Sequence, residues 1–396
     1  MSDFAPEGVP DGTRFELPDT ARLRHQLLSK LFHLYRLWGY EQVELPVLER
    51  YEPGHPRAGQ SFKLSDRDSG VLALRSDFTP ALAGLVRRAH PRIASGVEEP
   101  LRLQYVGRVW HAIDPDLART REFTQVGAEL IGVSNARADA ELIYLARESV
   151  REVGLVPRVE IGNPGFVRAL LRLAEIPESR HDALAGAIDR KDDSDIEAEL
   201  GGHSLATDLR AALHGVTDLY GDLRTLEVAR RVAPWEETVR ELDRLEAILS
   251  EFEDSTELLL DLGMARRLSY YTGVTFRAYT LDFGQPLLGG GRYDGALLPC
   301  AAGFSIGLER LIWALPQPEP APPAVVLSLD DEGARRLRAA GFAVQRALTT
   351  DIEVARRDAQ RLGIPYLLGD GLEVLVADGA LPTAEMIERA LKGDGG

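Results

Sequence analysis

Residues 101–132 hold two alternating segments, LRLQYVGRVWHA and REFTQVGAELIG, separated by a short charged stretch. In the second, Thr124, Val126, Ala128 and Leu130 fall on one side, and Phe123, Gln125, Gly127 and Glu129 on the other. The pattern predicts an antiparallel strand pair whose apolar face must be covered by other elements. The opposite face sets an amide, a glycine and a carboxylate in line, with Gly127 leaving room for a ligand between the two polar side chains. Two readings stay open from the pattern alone: a solvated sheet face, or the floor of a pocket.

Around this pair the chain alternates helices and strands. Leu23, Leu27, Leu31, Leu34, Tyr35 and Trp38 recur at helical spacing, with Asp19 or Thr20 as the expected cap and Gly39 as the stop. YEQVELPVLE follows as a strand that Pro46 confines to a sheet edge or an interface. Residues 51–70 read as a loop, and VLALRSDFTPALAGLVRRA runs from strand to helix. Asn163 and Pro164 open a mainly helical segment spanning about 165–260. Strand alternation then returns and closes with GFSIGLERLIWAL. Pro316, Pro318, Pro320, Pro322 and Pro323 mark a linker at 316–324. Beyond it, 325–396 alternates strand and helix as a small α/β domain.

Composition removes several classes of function. Asp and Glu outnumber Lys and Arg 62 to 46, for a formal charge of −16, which opposes a large nucleic-acid footprint. Cys300 is the single cysteine, and the eight histidines show no pair at ligand spacing, so neither a disulfide nor a metal site is expected. No run approaches the roughly 18 apolar residues of a membrane span. These features fit a soluble chain of a reducing, cytoplasmic compartment, without cofactor.

Four polar clusters stand at strand ends: Arg75, Asp77 and Thr79; Gln125 and Glu129; Arg266, Tyr270 and Tyr271; and Gly289–Gly291 with Arg292, Tyr293 and Asp294. Together they suit a zwitterion, with Asp77 and Glu129 for an ammonium group and Arg266 or Arg292 for a carboxylate. Each also has a plain structural reading. Arg75 and Asp77 can form a surface ion pair at a helix start, and the glycine triplet a tight turn. Tyr270 and Tyr271 alternate and so point to opposite faces. His111 reads as a surface histidine.

Taken in order, the pieces resemble the catalytic core of the class II aminoacyl-tRNA synthetases, specifically histidyl-tRNA synthetase. GYEQVELPVLE resembles that family's first motif, LALRSDFTP its LRPEGT stretch, RRLSYYTGVTF its RGLDYYTGTVFE box and GFSIGLER its third motif. The resemblance runs from Thr20 to Leu315. It implies an α+β fold: an antiparallel sheet flanked by helices over 1–315, with the helical insertion, and a reduced anticodon-binding-like domain at 325–396. It also implies that the first motif builds a homodimer interface. Residues Phe123, Gln125, Gly127 and Glu129 fall on histidine-pocket positions. Asp77 and Thr79 fall on positions that hold the amino group, Tyr270 and Tyr271 on those that read the imidazole, and Arg266 in the same box.

The nucleotide half departs from the synthetase pattern. His111 stands where the second motif's FRxE has its arginine, and Ile113 where it has its glutamate; Arg310 of the third motif is kept. Losing one preorganised charge contact of this kind costs about 100-fold in rate. Arg267 and Ser269 depart further within the histidine box. A kept amino-acid pocket beside lost activation chemistry resembles the synthetase-like paralogues that regulate ATP phosphoribosyltransferase. That resemblance implies a non-catalytic partner of a short-form catalytic subunit, with L-histidine as feedback ligand. The alternative is an active or divergent synthetase, or a paralogue acting on another amino acid.

Overall fold

The first long helix, α1 (Pro18–Leu37), buries Leu27, Leu31 and Tyr35 along one stripe. In this computed structural model, which describes residues 8–54, 58–67, 70–115, 120–203, 205–265, 270–316, 322–376 and 382–392, α1 starts without a side-chain cap. Pro18 occupies its first turn, where a missing N–H costs nothing, and Asp19 pairs with Arg22 at 2.8 Å. The expected cap by Asp19 or Thr20 is therefore corrected. Gly39, at φ +80°, lets the chain turn out of the helix.

Pro46 separates two sheets. Before it, β1 (Glu41–Gln42) forms one edge of the larger sheet; after it, β2 (Leu48–Arg50) joins β3 (Lys63–Ser65) and β4 (Val71–Leu74) in a small sheet of order β2-β4-β3. The stretch 51–70, expected as loop, thus contributes β3 and a single 3-10 turn at Ala58–Gln60. From β4 the chain passes into α2 (Thr79–Ala89) and the short α3 (Pro91–Ala94).

The strand pair of the opening argument is β5 (Leu101–Trp110) and β6 (Glu122–Ile131), antiparallel, with Leu103 opposite Glu129 and Tyr105 opposite Gly127. After α4 (Ala136–Glu152) and β7 (Pro157–Gly162) comes the helical segment. It comprises α5 (Pro164–Leu173), α6 (Glu178–Asp189), α7 (Asp193–Leu200), α8 (Thr207–Gly215), the two-residue β8 (Tyr220–Gly221), α9 (Thr225–Val232) and α10 (Glu236–Leu249). Asn163 caps α5, its side-chain oxygen accepting from Gly165 N at 3.0 Å, and Pro164 follows at the first turn. Then β9 (Leu258–Asp261), β10 (Thr275–Thr280), β11 (Phe283–Arg292), β12 (Ala301–Gly307) and α11 (Leu308–Ala314) complete the unit.

The large sheet, of order β1-β5-β6-β12-β11-β10-β7-β9-β8 among the described residues, is antiparallel through its centre. It is mixed at its margins, where β1–β5 and β7–β9 run parallel. One face packs against α1, α4 and α11, so Val126, Ala128 and Leu130 of β6 lie in the main core with Leu31, Tyr35, Phe276 and Phe304. A leucine buried this completely contributes about 2 kcal/mol. The other face meets α2 through Phe78, Leu82 and Val86, beside Tyr105, Tyr293, Tyr270 and Tyr271. The glycine triplet, expected as a turn, lies inside β11 instead.

The chain divides into two compact units, 1–317 and 318–396. The second contains β13 (Val326–Ser328), α12 (Asp331–Ala339), β14 (Val344–Arg346), α13 (Ile352–Arg361), β15 (Tyr366–Leu368), β16 (Leu372–Val374) and α14 (Ala384–Lys392). Its sheet, β14-β13-β15-β16, is covered on both faces. Leu327 and Leu367 pack with Ala355 and Ala359 of α13, while Val326 and Leu368 pack with Leu337 and Ile387 of α12 and α14. No helix among the described residues is long and apolar enough to cross a membrane.

Candidate functional site

The polar face of β6 is roofed rather than wet. Glu129 is 2% exposed, and its Oε2 accepts a hydrogen bond from the Tyr293 hydroxyl at 2.7 Å. Room for the carboxylate comes from β12, where Gly303 lies opposite Glu129; a Cβ at 303 would collide with Oε2. Burial pushes the Glu129 carboxyl up to about 8, and the nearby Asp77 adds to this, against the lowering effect of hydrogen bonds from Tyr293 and Thr79. Among the described residues no arginine or lysine pairs with it.

Asp77 and Thr79 approach from the start of α2. The Asp77 carboxylate accepts from Thr79 N at 3.2 Å and from its hydroxyl at 3.3 Å. The Thr79 side chain is also close enough to Glu129 and Tyr270 to favour the ionised form of each, so it sits where two acids and a phenol meet. Tyr270 stacks on Tyr293 with centroids 5.3 Å apart and meets Tyr271 edge-on at 4.9 Å. The two tyrosines therefore share one cluster, which corrects the expectation of opposite faces. Tyr270 lies in a turn and Tyr271 outside any strand, so strict alternation does not apply. Burial and the neighbouring acids push the phenols of Tyr105, Tyr270 and Tyr293 upward, keeping them neutral donors.

Further sequence expectations change in the structure. The space above Gly127 is filled by the phenol of Tyr105, which stacks on Phe78 at 4.3 Å, so Gly127 admits a protein side chain and not a ligand. Gly291 makes the same allowance for the ring of Tyr271. Arg292 is 5% exposed and bound to Asp139 and Asp294, both at 2.8 Å, and to the Val133 carbonyl, so it is not available for a ligand carboxylate. Arg75 is buried too and donates to the carbonyls of Leu45, Pro46 and Arg108, which replaces the surface ion pair. Gln125 is half-buried on the same face as Glu129, flanked across the sheet by Gly107 and Gly307. Arg266 lies outside the described residues.

His111 is buried, with Nε2 2.9 Å from the Ser76 carbonyl and its ring edge-on to Phe123. It is a packed side chain and not a surface histidine. Ile113 is half-buried just beyond, its N–H donating to the His111 carbonyl at 2.9 Å. Arg310 is half-buried, donates to the Pro286 carbonyl at 2.9 Å, and has its pKa lowered by burial. Sequence reasoning missed Tyr105 and undervalued Tyr293. The available signals were the Tyr105 position opposite Gly127 in the hairpin and the RYD that follows the glycines. Among the described residues no group of His, Cys, Asp and Glu is arranged to hold a metal.

The site is thus a buried acidic cluster ringed by phenols, whose chemistry suits a small cationic or N–H-bearing group. Comparison with known proteins shows the family of the chain. The family model for histidyl-tRNA synthetase matches residues 12–311. A protein of Thermus thermophilus named ATP phosphoribosyltransferase regulatory subunit is 44% identical over 91% of this chain and 96% of its own. One of Deinococcus radiodurans with the same name is 44% identical over 90% and 87%. A solved structure from Bacillus halodurans, titled ATP phosphoribosyltransferase regulatory subunit/histidyl-tRNA synthetase, superposes with TM-score 0.79 at 30% identity, covering 90% of this chain and 97% of that one. Histidyl-tRNA synthetase from Nostoc shares the fold at TM-score 0.78 and 21% identity, over 98% and 99% of the two chains.

Proposed function

We propose, for a chain that belongs to the histidyl-tRNA synthetase family and within it to the ATP phosphoribosyltransferase regulatory subunits, that it serves a separate catalytic phosphoribosyltransferase and senses L-histidine. The catalytic subunit is of the short form and makes phosphoribosyl-ATP, the opening step of histidine biosynthesis in the cytoplasm. The regulatory chain supports that catalysis and withdraws the support when histidine accumulates.

One observation carries the reading. Glu129 is a buried carboxyl with the Tyr293 phenol as its hydrogen-bond donor and no cation paired to it among the described residues. A ligand's ammonium or imidazole N–H is the missing complement. In this reading Asp77 and Thr79 hold the amino group, Glu129 and Gln125 line the floor, Tyr270 and Tyr271 face the imidazole, and Arg266 takes the carboxylate. Histidine controls the complex only by binding its inhibited arrangement more tightly than its active one.

The second motif supports a role without amino-acid activation. His111 already packs against Ser76 and Phe123, and Ile113 offers no polar atom beyond its backbone. Neither side chain can neutralise an α-phosphate or accept from an adenine amino group. A homodimer within the hetero-oligomer is part of the proposal. It is supported by Val47, Leu48 and Leu64, apolar side chains on and beside the small sheet that are 42, 51 and 43% exposed.

The test is phosphoribosyl-ATP formation by the short catalytic subunit of the same genome, with and without this protein, while histidine is titrated. Stimulation that histidine reverses is expected. No change in rate together with no complex would overturn the proposal, and histidine-dependent pyrophosphate–ATP exchange would assign the chain to the active synthetases instead.

A further inference from the structure

The helical segment carries a second polar cavity, apart from the Glu129 pocket. It has a volume of about 480 Å³ and lies between α5 and α10, lined by Arg172, Glu237, Arg240, Glu241 and Arg244. Arg168 lies one turn before Arg172 on α5, and Arg240 one turn before Arg244 on α10. Like charges at this spacing repel, and three arginines, Arg172, Arg240 and Arg244, line one cleft in a chain that carries a net charge of −16.

The carboxylates balance them only in part, since Glu241 pairs with Arg244. Glu241 is already engaged, its Oε2 accepting from Asn163 Nδ2 at 3.2 Å and its Oε1 from Arg244 at 2.9 Å. Glu237 is exposed. Arg172 and Arg240 have no hydrogen bond or ion pair among the described residues. Arg168, behind the cleft, is half-buried, and its charge is disfavoured by burial and by Arg172 against the favourable Glu241. An incoming anion offsets the two unpaired guanidiniums, Arg172 and Arg240, and guanidinium groups match phosphate oxygens in pairs.

We propose that the cleft between α5 and α10 binds a small molecule bearing a polyphosphate group, held by Arg172, Arg240 and Arg244. The cleft is of small-ligand size, and the acidic whole opposes a nucleic acid in this role. Its occupancy reaches the first pocket through Arg168, whose Nη2 donates to the Tyr271 carbonyl at 2.7 Å. The assignment of the cleft does not rest on histidine being the ligand of the Glu129 site.

The experiment is calorimetric titration of the full chain at about 0.15 M salt with inorganic triphosphate, ATP and adenosine. Triphosphate and ATP are expected to bind and adenosine not to. The double substitution Arg172→Ala with Arg240→Ala is expected to weaken both at least tenfold, the Lys pair to restore part of the loss, and Arg310→Ala to leave binding unchanged. Because both replaced side chains are exposed, the variants are expected to fold, and thermal melting followed by circular dichroism serves as the folding control. Four results would overturn the proposal. These are no triphosphate binding to the native chain, adenosine binding as well as ATP, loss of binding through Arg310→Ala instead, and loss of catalytic-subunit binding in the double variant without any triphosphate binding, which makes the cleft a protein-docking face.

Discussion

Gly303 lies opposite Glu129 on the neighbouring strand, and the glutamate's carboxylate fills the space that a side chain at 303 would take. The glycine is therefore part of the pocket although it offers no functional group. Gly303→Ala is expected to displace the carboxylate from Tyr293, destabilise the fold by about 1–3 kcal/mol, and weaken histidine binding at least tenfold. Denaturant unfolding and calorimetry on the same variant check both halves. Native stability with native affinity would show that the carboxylate has another place to go.

That relationship also marks how far the sequence could be read. Period-two alternation placed Gln125 and Glu129 on one face of β6, and Asn163 with Pro164 located the start of α5, because these are local rules of backbone geometry. What stayed hidden depends on partners remote in the chain. Gly127 looked like space for a ligand, and only the fold brings the Tyr105 ring across it. The glycines of β11 looked like a turn because their use is to admit Tyr271 and Phe304. Arg292 looked available until Asp139 and Asp294 were brought to it. His111 looked exposed because nothing nearby in sequence announces the Ser76 carbonyl.

The buried Glu129 should weaken the fold as pH rises. Glu129 titrates at about 8 in the folded chain but near the ordinary 4.5 when unfolded, so across that window the unfolded state binds fewer protons. Stability is then highest below the unfolded value and falls as pH increases toward 8. Each unit of upward shift costs about 1.4 kcal/mol. Glu129→Gln removes this titration. The variant is expected to stay folded, to lose histidine binding, and to gain stability over the native chain more at pH 8 than at pH 5. A difference that does not change with pH in thermal melts would remove Glu129 as the source.

Histidine affinity should move the opposite way. At pH 6 the Glu129 carboxyl holds its proton, and it must shed it to accept from a cationic group of the ligand. Affinity is expected to rise toward pH 8, by up to about tenfold per unit, and to level above it. Calorimetry in buffers of differing ionisation enthalpy should also detect proton release on binding. A flat profile in the native chain, matching that of Glu129→Gln, would separate the glutamate from the ligand.

Arg75 tests whether the pocket's support is backbone or charge. Its guanidinium donates to Leu45 O at 2.8 Å, Pro46 O at 3.0 Å and Arg108 O at 3.0 Å, and lies 3.9 Å over the Phe78 ring. These bonds tie the Pro46 crossover and the end of β5 to the residues just ahead of Asp77. Arg75→Ala strands three carbonyls at about 1 kcal/mol each, so a loss of roughly 3 kcal/mol is expected in denaturant unfolding. Lysine keeps the charge but has one ammonium group for carbonyls on two sides, and should recover less than half of it. Histidine binding should fall in both variants, because Asp77 and Thr79 hang from the same turn. If Arg75→Lys were as stable as the native chain, charge alone would suffice and the three-carbonyl clamp would not be what holds the pocket's wall.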